Sequence, residues 1–219
     1  MTLVGVAIIG LAGCSASAGS TGVVQDDAVA SPQATSTESS PGTNDGLGAA
    51  VPGASCADGG TCQVGDTGPG GGTVFYDAGS SQSWGQYLEA APAGWSEQAQ
   101  DPEVKWCAKD QPGYDSWVQT GTGIGSGRDN TAAIIGVCGN QSAAGVAAAY
   151  TGGGLSDWFL PSKDELAELY NQRGVVGGLA SYSYWSSSQS SDVKKYAWIQ
   201  GFVDGTQGNL DKSMNPRVR

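Results

Sequence analysis

All seven tryptophans of this 219-residue chain lie between Trp84 and Trp198, whereas no aromatic residue, Lys or Arg occurs before Val51. A core needs large apolar side chains to offset the entropy of ordering the backbone. Outside a short apolar run at its start, the N-terminal stretch is rich in Ala, Ser, Thr, Gly and Asp and has too few of them. Folding is therefore expected in one domain over residues 56–219, preceded by a linker over 14–55.

The apolar run, Leu3 to Ala12, is shorter than the roughly 20 residues that a bilayer-spanning helix needs. It suits the hydrophobic region of a signal peptide over residues 1–13. It ends in Leu11-Ala12-Gly13-Cys14, which resembles the bacterial lipoprotein lipobox, with small residues before the cleavage point and a thiol to accept a diacylglyceryl group. No Lys or Arg precedes the run, a departure from the positive region that signal peptides carry. The resemblance implies lipid attachment at Cys14 and a membrane-anchored, extracytoplasmic place in the bacterial envelope. The linker's Ser-Pro pairs and lack of hydrophobic period read as a flexible tether with a reach of roughly 35 Å.

Four cysteines follow Cys14, an even number in a chain expected to leave the reducing cytoplasm. Of the three pairings, Cys56–Cys62 and Cys107–Cys138 are favoured, because Gly59-Gly60 lets the first segment turn tightly. A zinc site at Cys56 and Cys62 would need two more ligands nearby. Histidine is absent, which removes the commonest general base, the Ser-His and Cys-His nucleophile pairs and His-containing zinc sites. The formal charge of −11 opposes nucleic acid, anionic headgroups and sulfated polysaccharides as partners. A cation or a neutral glycan fits better, and a solvated acidic surface is the stronger explanation of the charge itself.

The pattern of elements is α+β. Thr73 to Tyr76 and Tyr87 to Ala91 read as short strands, as do Tyr184 to Ser186 and Tyr196 to Val203. Asp204-Gly205 signals a turn, and Arg217-Val218-Arg219 is expected to return as a last strand. Asp129 or Asn130 is placed to cap a helix through Ile135, and an Ala-rich helix is expected from Ser142 to Tyr150. Ser162-Lys163-Asp164-Glu165 is a capping box, with Leu166, Leu169 and Tyr170 as the buried face and Gly174 as the stop.

Several motifs carry possible chemistry. Glycines 121, 123, 125 and 127 have the spacing of a phosphate loop but lack a preceding strand and a Walker lysine, so a structural loop is the stronger reading. Gln111-Pro112-Gly113 resembles the Gln-Pro-Asp tripeptide of calcium-dependent lectins with glycine in place of the metal-ligating acid. Asp192, Asp204, Asn209 and Asp211 are the candidate ligand-binding residues in loops, with calcium a weakly supported ligand and solvated turns the blander reading. Trp185 is a candidate sugar platform, and Trp198 shares that reading; core packing is the stronger reading for both. No two carboxylates stand out by spacing as a glycosidase pair.

Taken together, Val64-Gly65-Asp66-Thr67-Gly68-Pro69-Gly70-Gly71-Gly72-Thr73-Val74-Phe75-Tyr76, Thr120 to Thr131, Ser156-Asp157-Trp158-Phe159-Leu160-Pro161-Ser162-Lys163-Asp164-Glu165-Leu166, Tyr184-Trp185-Ser186-Ser187-Ser188 and Arg217-Val218-Arg219 resemble the Lcl C-terminal domain family. That domain ends a bacterial collagen-like adhesin. The resemblance implies a C-type-lectin-like fold and a role in surface binding or adhesion to a glycan or protein, without catalysis. The adhesin's sulfated-glycan ligand is not carried over, since residues from Ser55 onward hold seventeen acidic against ten basic side chains. An envelope enzyme working through paired carboxylates and a purely structural envelope lipoprotein are the competing expectations.

Overall fold

The computed structural model describes residues 54–219. Cys14, the signal peptide and nearly all of the linker lie outside the described residues.

The domain is α+β, with two small antiparallel sheets and four helices. Strands β1 (Thr73–Gln82) and β2 (Gly85–Ala90) form a hairpin in which Val74 pairs with Glu89. Strands β3 (Ser183–Gln189), β4 (Tyr196–Gly201) and β5 (Gln207–Asp211) form a meander in that order. Between the sheets run α1 (Gly127–Cys138), α2 (Ala143–Ala148), α3 (Lys163–Asn171) and α4 (Arg173–Val176). Both expected disulfides are present, Cys56–Cys62 and Cys107–Cys138.

Helix α3 begins where the capping box places it. The Ser162 hydroxyl accepts the Glu165 N–H at 3.3 Å, and the Ser162 N–H donates to Glu165 Oε2 at 2.6 Å. Its stop differs from expectation, because Gln172 leaves helical geometry and Gly174 sits inside α4, which ends at Gly177 with φ +66°. Helix α1 starts earlier than Asp129 or Asn130 would have it, since the donors at its start are met by a carboxylate remote in sequence. Asn130 is buried within the helix and bonds Gly121 on both its oxygen and its nitrogen.

Two large hydrophobic clusters form most of the interior, beside a small one of Cys56, Cys62, Val74 and Tyr87. One joins Phe75 and Leu88 of the hairpin to Trp158, Phe159, Leu166, Leu169, Tyr184 and Phe202. The other joins Trp106, Ile134, Ala143, Leu160, Trp185, Ala197 and Val218 around Cys107 and Cys138. The extended segment Trp158-Phe159-Leu160 feeds both, so the stretch before the capping box ties the two halves together. Burying one such side chain stabilises by about 1.5–3 kcal/mol.

The C-terminus forms no strand of its own. Arg217 makes single bridges to Glu103 and to Tyr184, with its N–H on the Ser183 carbonyl, while Pro216 offers no N–H to extend a ladder. Side chains complete the closure: Arg219 Nε lies 2.8 Å from Asp101 Oδ1, and its Nη1 donates to the Ala91 carbonyl at 2.9 Å. Strand β5 carried no sequence expectation; its Gly208 and Asn209 are poor strand formers, and its ladder to β4 supplies the order.

Candidate functional site

The polar end of β3 organises the surface. Ser186, Ser187, Ser188 and Gln189 are all buried, an unusual run for a strand interior; Ser186 bonds the Trp198 carbonyl, Ser187 accepts from Asn130, and Ser188 and Gln189 reach the long irregular segment 108–126. The Ser188 hydroxyl donates to the Gly121 carbonyl at 2.7 Å. Gln189 receives the Val118 N–H on Oε1 at 2.6 Å, donates from Nε2 to the Ser116 carbonyl at 3.0 Å, and gives its own N–H to Thr120 Oγ1 at 2.9 Å. The segment carries the backbone groups of a loop, and buried side chains satisfy them in place of a ladder.

The result is a groove of about 520 Å³, within the range typical of small-molecule sites. Trp117, 54 % exposed, forms one lip, and Trp198 of β4 lies in the lining with it. Gln119, Thr120, Thr122, Ser190 and Ser191 supply donors and acceptors. Lys163 Nζ lies 5.2 Å above the Trp198 ring centroid, with Asp164 at 3.2 Å. No carboxylate lines the groove, although the protein is strongly acidic. Aromatic faces beside hydroxyl and amide groups are what a sugar ring's apolar face and hydroxyl edge require. An enclosed space of about 20 Å³ beneath Trp95, Tyr150 and Trp158 has room for one water and not for a sugar.

The structure separates the sequence candidates. Trp185 is 1 % exposed, packs in the second cluster and donates Nε1 to the Val104 carbonyl at 2.8 Å. It offers no face to a ligand, so core packing holds for Trp185 and its candidacy as a sugar platform is corrected; both faces of β3 are covered. Trp198 lies between Ala197 and Ile199, which join the second cluster, so strand alternation turns it the other way. Asn209 sits opposite Trp198 in the β4–β5 ladder and is exposed. Asp192 is at the groove's edge, where its Oδ1 accepts the Ser191 hydroxyl at 2.9 Å. Asp204 Oδ1 accepts the Thr206 N–H at 3.0 Å in the hairpin turn, and Asp211 accepts bonds from Tyr114 and Ser213. Trp117 had no sequence signal beyond being a large aromatic residue in a polar, glycine-rich stretch.

The residues do not fit the calcium site of calcium-dependent lectins. Among the described residues no three Asp, Glu, Cys or His side chains converge as metal ligands. Gly113, where those lectins place an acid, packs on the disulfide: a Cβ there would fall 2.5 Å from Cys138 Sγ and 2.6 Å from Val137. An aspartate has no space at that position.

The glycine spacing over 121–127 has a structural cause. Glu165, 0 % exposed, accepts the N–H groups of Gly125 at 2.7 Å and Gly127 at 3.4 Å on Oε1. The loop's N–H groups thus close on the protein's own carboxyl group in the way such loops close on a phosphate. Burial raises this carboxyl's pKa, while the backbone bonds from Ser162, Gly125 and Gly127 pull the other way. Glu89 is likewise buried and accepts Gly70 N–H at 3.0 Å and Gly72 N–H at 2.5 Å. Asp157 is different: burial pushes its pKa up to about 6, and its nearest cation is Arg128 at 3.6 Å.

No family model and no curated protein matches the chain.

Proposed function

We propose that this chain is a lipid-anchored binding module of the bacterial cell surface, acting in adhesion without catalysis, whose domain takes a glycan in the groove between Trp117 and Trp198. The observation that carries the reading is the groove's lining: two tryptophans, one of them largely exposed, beside hydroxyls, amides and a single lysine. An exposed tryptophan held on a fixed loop has no core to serve, and its desolvation by a sugar face is favourable. Neutral or weakly polar sugars suit it, since the lining carries one ammonium and no acid. We read the domain as C-type-lectin-like, a reading supported by two small antiparallel sheets, a last segment bound back to Ala91 and Asp101 through Arg219 and Arg217, and a long ordered loop beside the second sheet. Cys14 is the proposed anchor and residues 14–55 the tether.

A glycan array probed with the domain, with calcium and with chelator, tests the site. Binding is expected in both conditions, and Trp117→Ala and Trp198→Ala are each expected to weaken it about tenfold or more. Absence of binding to any glycan or envelope component, or binding indifferent to both substitutions, would sink the proposal. For the anchor, radioactive fatty acid fed to cells is expected to label the wild type and not Cys14→Ala.

A further inference from the structure

We propose that Lys212 is a positioning residue of the groove: its buried ammonium holds the Trp117 wall in place, and loss of its proton loosens that wall. The functional consequence rests on the groove being the binding site; the structural claim does not.

Lys212 directly follows β5 and is 0 % exposed, which is rare for a lysine. Its Nζ donates to the Gly113 carbonyl at 2.7 Å and to the Ser116 carbonyl at 3.3 Å, and lies 4.6 Å above the Trp106 ring. The carbonyls bracket a turn in the irregular segment, where no neighbouring strand supplies donors. Ser116 immediately precedes Trp117, and its carbonyl also receives Gln189 Nε2, while the Val118 N–H just beyond Trp117 returns to the same Gln189 side chain. Trp117 is therefore fixed on one side by two buried donors on the Ser116 carbonyl and on the other by the Gln189 oxygen that accepts the Val118 N–H, and of the two side chains only Lys212 can change charge.

The groups facing the ammonium are Asp115 on the loop and Asp211 on β5, both of which favour its charged form. Lys195, at the edge of β4, pairs with Asp115 at 3.4 Å, the Tyr114 hydroxyl binds Asp211, and Lys109 acts on Asp211. Burial outweighs them and pushes Lys212 down to about 8. Charge-assisted bonds are roughly twice as strong as neutral ones, so deprotonation weakens the clamp, first at the longer contact to Ser116. Stability has the opposite sign. The unfolded chain holds this proton up to its ordinary value of 10.5, so the penalty of burying the charge fades as pH rises from about 8 towards that value. This group alone makes the fold more stable over the range in which the wall loosens.

The full chain labelled with 5-fluorotryptophan provides the test, with the Trp117 resonance assigned by Trp117→Phe. Between pH 6.5 and 9.5, values chosen to bracket the shifted ammonium, that resonance is expected to titrate with a midpoint near 8 and to narrow as the indole becomes mobile. In Lys212→Met it is expected to sit at its alkaline position throughout. Asp115→Asn alters an exposed side chain and leaves the core alone; it is expected to move the midpoint to lower pH, which keeps the proposal testable if Lys212→Met fails to fold. A Trp117 signal that does not titrate, that titrates unchanged in Lys212→Met, or whose midpoint ignores Asp115→Asn would overturn the proposal. No ligand is present in the experiment, so a failed glycan array and a failed titration are separate results.

Discussion

Two long irregular stretches, residues 54–72 and 108–126, are built from similar parts and end up with different duties. Each is rich in glycine, has a disulfide at its base and delivers backbone N–H groups to a buried glutamate. The first is attached mainly to the β1–β2 hairpin through Glu89 and the bonds of Gly65 and Val74. The second is gripped by Glu165 of α3, Asn130 of α1, Ser188 and Gln189 of β3, and Lys212 after β5. Irregular backbone becomes as fixed as a sheet when its polar groups meet buried partners from several elements. That fixity is what an exposed tryptophan needs if it is to meet a ligand in one orientation.

If this comparison is right, the second stretch should be the more costly to release. Removing its disulfide with Cys107→Ser and Cys138→Ser is expected to cost roughly 3–4 kcal/mol on the loop-entropy model, against roughly 2 for the short Cys56–Cys62 loop. Urea denaturation of the two double variants measures the gap, and equal losses would remove the distinction. Next in size, Glu165→Gln is expected to cost about 3 kcal/mol and Glu89→Gln about 2, because an amide replaces one acceptor with a donor facing N–H groups, three around Glu165 and two around Glu89. The reverse order would show that the hairpin, and not the helix cap, carries the greater burden.

A separate effect is expected in the pH dependence. The folded-state pKa of Asp157 is raised from 3.8 to about 6 by burial, only partly countered by Arg128. The folded state therefore holds this proton more tightly than the unfolded chain does. Its contribution is fully present below about 3.8 and is lost as pH rises through about 6. Glu89 and Glu165 are shifted in the same direction. Thermal melts of the wild type and Asp157→Asn are expected to converge below pH 4 and separate by pH 6, with the wild type losing stability relative to the variant; parallel curves would refute the assignment.

Legibility followed the range of the interactions. The capping box was readable because Ser162 and Glu165 are three residues apart and exchange local bonds. The two disulfides were readable from spacing and turn residues, and strands β1 to β4 from runs of β-branched and aromatic side chains. The start of α1 was misplaced because its donors are met by Glu165, 38 residues away from Gly127. The C-terminal segment reads as a strand in sequence, whereas it works through two arginines whose partners lie far back in the chain. The site was the least legible part: Trp185 and Trp198 look alike in sequence, and only the sheet decides which one faces inward.

By itself, then, the sequence determined the α+β class, the short Cys56–Cys62 pairing and the local helix signal, which depend on near neighbours, and Cys107–Cys138 followed as the pairing left to the other two cysteines. Tertiary structure alone decided that the glycine-rich run encloses an internal glutamate, that Trp185 is core while Trp117 and Trp198 share a groove, and that a buried lysine stands behind the groove wall. Those outcomes depend on contacts between residues tens of positions apart, and no local pattern encodes which polar group will find which partner.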